Sequence, residues 1–84
     1  MLVTYDPEAD ATYGSLTDTP VAKTRQFGDS VSVDLDEVGS PVGVELLMTP
    51  ASVTSGVLTP LLVEYPRLSG VGKVLRRLSA PATA

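Results

Sequence analysis

The sequence predicts an α+β fold: a small antiparallel β-meander of four to five strands, with one or two C-terminal helices packed on one face. Three features of the chain point there. Residues 30–36, SVSVDLD, alternate with period two, so Val31, Val33 and Leu35 face one way and Ser32, Asp34 and Asp36 the other. Residues 41–48, PVGVELLM, keep the rhythm: Val42, Val44, Leu46 and Met48 share one face, and Gly43, Glu45 and Leu47 the other. After Pro50 the apolar spacing turns helical, through Val57, Leu58, Leu61, Leu62 and Tyr65, then Leu68, Val71, Leu75 and Leu78. A sheet with one apolar face needs a second layer to cover it, and the helices supply that layer. Residues 1–48 therefore read as the meander, 49–79 as a helical C-terminal extension and 80–84 as a disordered tail.

The elements follow in order. MLVTY is a short strand rich in β-formers. DPEAD is a turn, because proline fixes φ and the preceding Asp accepts from nearby backbone N–H groups. ATYGSLT is a second extended stretch. VAKTRQF is a third, at an edge, where Lys23 and Arg25 would discourage open-edge pairing. Turns at Gly28–Asp29 and at EVGS set off the two clearest strands, and short turns between successive strands imply a meander. Thr54 or Ser55 can cap the first helix. Pro60 is best tolerated in a first turn, which predicts a start nearer Thr59. Pro66 separates this helix from the next, whose outer face carries Lys73, Arg76 and Arg77.

The 84 residues contain no histidine and no cysteine. The usual acid–base group near neutral pH, the commonest metal ligand, disulfides and thiol chemistry are thereby excluded. With no signal peptide read at the start, the expected setting is reducing and cytoplasmic. The net charge of −4 divides unevenly: residues 1–45 carry −7 and residues 46–84 carry +3. The acidic half would repel phosphate backbones, so no nucleic-acid partner is expected, and the apolar runs are too short for a membrane span. The basic half suits an acidic surface, the nearest being the chain's own N-terminal half or that of a second copy, which makes a homodimer the expected state.

Three groups are candidate sites. Asp6, Glu8 and Asp10 match the first three ligand positions of a calcium loop, but Ala11 stands where its glycine belongs and Thr17 where its bidentate glutamate belongs. They read as a solvated turn. Asp34, Asp36 and Glu45 could converge on one polar sheet face and hold a divalent ion or share a proton. Alternation of Val with Asp is also what a half-exposed strand requires, and Lys23 and Arg25 on a neighbouring strand would neutralise the carboxylates. The segment Arg67–Leu78 is a basic amphipathic helix, read first as core packing and second as a docking element. No catalytic, cofactor-binding or metal-ligating residue is assigned, and no cofactor is expected.

TYDPEADATYGSL followed by TPVAKTRQFGDSVSVDLDEVGSPVGVELL resembles DUF2283, a family of small bacterial proteins of unknown function. The resemblance spans residues 3–47. It is carried by Tyr5-Asp6-Pro7-Glu8-Ala9-Asp10-Ala11, then Tyr13, Leu16, Val31, Asp34, Gly43, Glu45 and Leu47. It implies a compact β-meander and no established catalytic residues. It also implies a structural or protein-binding role, including an antitoxin-like role on a small partner protein. Gly14 and Ser15 stand where larger, more apolar residues are expected, which predicts a bulged or thinly packed second strand. The function expected is a non-enzymatic structural or protein-interaction domain that self-associates, with a carboxylate-based metal enzyme as the competing class.

Overall fold

A computed structural model describes residues 2–79, with side chains through Val74. The five β-forming stretches become β1 (Leu2–Asp6), β2 (Ala11–Ser15), β3 (Lys23–Gln26), β4 (Val31–Leu35) and β5 (Pro41–Leu46). Two helices follow, α1 (Ser55–Glu64) and α2 (Ser69–Ser79), with single 3₁₀ turns at Pro50–Ser52 and Pro66–Leu68. The residues expected to form a tail, 80–84, lie outside the described residues, as do the side chains of Leu75, Arg76, Arg77 and Leu78.

All pairings are antiparallel, in the order β1-β2-β5-β4-β3. The succession differs from a plain meander at one joint. The chain leaves β2, crosses to the far edge to form β3, and returns so that β5 slots between β4 and β2. The physical reason is burial. β5 is the most apolar strand and is buried at five of its six positions, whereas β3 is exposed throughout. A central place shields both sides of β5, and the edge leaves the polar KTRQ stretch in water.

Register assigns the two faces. Val33 lies opposite Val44, and Val31 opposite Leu46. Val31, Val33, Leu35, Val44 and Leu46 join Val53, Leu58, Leu61, Leu68 and Val71 in one core cluster. The expected apolar face is thus the face that the helices cover. Val42 is buried as well, beside an irregularity where the β4–β5 pairing slips between Asp34 and Leu35. Its carbonyl accepts from the N–H groups of both Leu16 and Thr17.

Two local expectations are corrected. α1 begins at Ser55 rather than near Thr59, with Thr54 as its cap: the Thr54 hydroxyl accepts from the Val57 N–H at 3.3 Å. Pro60 therefore sits inside the helix. It is tolerated because Gly56, whose carbonyl loses its usual partner, is exposed to water, as is Pro60 itself. Nor does β2 bulge: its register to both neighbours is continuous. Gly14 is crossed by α2, and a Cβ there would run into Val71 Cγ1 and stand 3.5 Å from Val44 Cγ1. The side chain missing from the strand is replaced by one from the helix.

Candidate functional site

The helices leave the other sheet face bare. Strand parity places Tyr13 from β2, Gly43 and Glu45 from β5, Ser32 and Asp34 from β4, and Thr24 from β3 on it. One carboxylate ties three strands together there, across a fourth. The Tyr13 hydroxyl donates to Asp34 Oδ2 at 2.8 Å, and the Thr24 hydroxyl donates to Asp34 Oδ1 at 2.7 Å. Tyr13 reaches Asp34 only by lying across β5 at Gly43. A Cβ at position 43 would stand 2.7 Å from Tyr13 Cζ and 2.8 Å from the Gly14 carbonyl oxygen. Gly43 is a trough for the tyrosine ring.

The chemistry of this cluster is that of a latch. Both Asp34 oxygens already accept hydrogen bonds. Partial burial, then the bond to Asp34, then the charges of Asp34 and Glu45 push the Tyr13 phenol up to about 12, so it holds its proton near neutral pH. Among the described residues, shallow hollows lie elsewhere. One is bounded by Thr19, Pro20 and Asp36–Val38, one by Leu16, Ser40, Pro41 and Arg67, and one by Val3–Tyr5 and Thr49–Ala51.

The carboxylates singled out in the sequence do not converge. Asp34 and Glu45 share the open face, as diagonal neighbours about 7–8 Å apart. Asp36 leaves the sheet and organises the β4–β5 loop: its Oδ1 accepts from the N–H groups of Val38 at 3.0 Å and Ser40 at 2.9 Å. Asp6 does similar work in the β1–β2 loop, accepting from the Glu8 N–H at 3.0 Å. Asp10 accepts from the Tyr5 hydroxyl at 2.7 Å and takes a left-handed backbone with φ 48°, a conformation Asp tolerates better than most residues. Among the described residues there is no group of three His, Cys, Asp or Glu placed to hold a metal ion.

The cations also differ from expectation. Lys23 and Arg25 lie on the helix-covered side, opposite Leu35 and Val33, so they do not neutralise Asp34; Thr24 takes that place. Arg25 instead clamps the β3 edge to the end of α1. Its guanidinium bonds both Glu64 oxygens at 3.2 and 3.4 Å and the Tyr65 hydroxyl at 3.3 Å, and it sits 4.8 Å from the Phe27 ring centre. These partners raise its already high pKa, the Tyr65 bond contributing most. The basic amphipathic stripe meets its first reading as far as side chains are described: Leu68 and Val71 are core, and Lys73 is exposed.

Tyr13 and Thr24 escaped the sequence reading as partners of Asp34. The signal that could have found them is register: Thr24 on β3 stands directly opposite Asp34, and with Gly43 opposite on the other side a side chain from β2 can reach across the gap. Among the described residues, no helix is long and apolar enough to cross a membrane.

No curated protein and no solved structure matches the chain. The family model described as a protein of unknown function, DUF2283, matches residues 2–48, which hold the whole sheet with its Tyr5–Asp10 and Tyr13–Asp34 pairs. With more than half of its length matched, the chain belongs to the DUF2283 family.

Proposed function

We propose that this chain is a non-enzymatic protein-interaction domain that associates with itself, built from a sheet module (residues 1–48) and a helical extension (49–79) that completes its core. The observation that carries this reading is the state of β1. This outer strand has no buried residue, and it exposes Leu2 (63%) and Tyr5 (40%) along the rim of the sheet. Exposed strand edges are templates for pairing with another chain. The reading is also supported by the acidic side chains, which spend their oxygens on turns and on strand-to-strand bonds rather than around a common centre. The absence of cysteine suits a reducing cytoplasmic setting.

The test is mass in solution. Light scattering across a concentration series should give twice the 8.8 kDa chain mass at the upper end. A constant monomer mass rejects self-association. Hydrolytic turnover that disappears in Asp34→Asn would reject the non-enzymatic half of the reading.

A further inference from the structure

We propose that two copies join through their β1 edges. The strands run antiparallel with Thr4 facing Thr4 across a two-fold axis, so that two five-stranded sheets become one of ten strands. This rests on the self-association reading above and names its surface.

The backbone leaves the right groups outward. Leu16 donates its N–H to Val42 on β5, so by antiparallel alternation Thr12 and Gly14 also face β5, while Tyr13 and Ser15 face β1. Their partners Thr4 and Leu2 spend their backbone groups on β2. Val3 and Tyr5 then turn their N–H and C=O groups away from the sheet, and among the described residues no strand lies beyond them.

The segment LVTYD is self-complementary about Thr4. Val3 falls opposite Tyr5 of the second copy, an aromatic–β-branched pair on the helix side, and the two outward backbone sets exchange four hydrogen bonds. Asp6 falls opposite Leu2, not opposite its own copy. The two Asp6 residues end four positions apart, about 14 Å, beyond the roughly 8 Å screening length at physiological salt. The acidic β1–β2 loops therefore lie at opposite ends of the seam. Beside Val3 and Tyr5 lies the hollow of about 370 Å³ walled by Thr49, Pro50 and Ala51, which leaves room for the incoming Tyr5 ring. The opposite edge is guarded: β3 has only four residues and carries Lys23 and Arg25. β1 holds no proline, lysine or bulge.

The register gives a specific test. Thr4 faces Thr4 as a non-hydrogen-bonded pair, with Cα atoms about 4.5 Å apart, inside disulfide reach. The chain has no other thiol. Thr4→Cys should therefore form a disulfide-linked dimer in air, while Leu2→Cys, about 14 Å from its copy, should not. Thr4→Lys and Thr4→Glu should each be monomeric with unchanged circular dichroism, and an equimolar mixture of the two should regain the dimer mass. If the wild type is dimeric but Thr4→Lys stays dimeric and Thr4→Cys does not cross-link, the β1 seam is wrong while self-association stands. A monomeric wild type overturns both.

Discussion

Gly14→Ala tests how the helical extension sits on the sheet. In a strand, Ala is ordinarily better than Gly by about 0.5–1 kcal/mol, so an uncovered β2 should gain stability. Here the new methyl meets Val71 Cγ1 well inside contact distance, and Val71 is itself 1% exposed, so it has nowhere to swing. Overpacking of this kind costs roughly 1–3 kcal/mol. With the clash at the upper half of that range and the backbone gain set against it, the net loss is about 1–2 kcal/mol. For a domain of this size that lowers Tm by roughly 4–15 °C. Val71→Ala alone removes two buried methyl-sized groups and costs about 2 kcal/mol with the cavity it leaves. In the double variant the methyl added at position 14 fills space that Val71 vacated. The two losses should then fall short of additive by about 0.5–3 kcal/mol, the range seen for touching residues. Urea denaturation followed by circular dichroism, with slopes compared across the four proteins, measures the coupling. A neutral or stabilising Gly14→Ala, or additive losses, would show that α2 does not lie over β2.

Tyr13→Phe should cost about 0.5–1.5 kcal/mol at neutral pH by removing the bond to Asp34. Because the folded Tyr13 holds its proton more tightly than an unfolded tyrosine, that stabilisation is fully present below about pH 10. It is lost as pH rises through about 12, so the gap between wild type and Tyr13→Phe should close over that window in pH-dependent denaturation. Thr12→Val should cost about 1–2 kcal/mol despite its similar shape. The fully buried Thr12 hydroxyl donates to the Met48 carbonyl at 2.7 Å, and the change leaves that carbonyl without its donor; thermal melts report it. Pro60→Ala should stabilise by about 1–2 kcal/mol, since restoring an N–H inside α1 outweighs the added freedom of the unfolded chain, and an unchanged Tm would contradict Pro60's place within the helix.

Much of the fold was legible along the chain because burial imposes a period. Val31, Val33 and Leu35 could face a core only as alternate residues of a strand, and of the seven residues assigned to the apolar face six are buried and Met48 is partly buried. Asp6 was legible as a turn former because an Asx turn is local, closed within two residues, whereas Asp36 continued the period of its strand and only the loop it bonds, at the Val38 and Ser40 N–H groups, took it off the sheet. The start of α1 was misread because helix rules weigh proline by position alone, whereas the solvent beside Gly56 decided what Pro60 costs.

Composition and periodicity by themselves determined the strands, the apolar face, the helical extension and the lack of histidine and thiol chemistry. These depend on each residue's own solvation and its near neighbours. Tertiary structure alone decided that β5 lies between β2 and β4, that Gly43 makes way for Tyr13, that Gly14 makes way for Val71, and that Arg25 reaches Glu64. Each of those joins residues distant along the chain, or depends on which strands lie side by side. Strand order is fixed by the summed burial of the whole sheet, a quantity no single stretch of sequence contains.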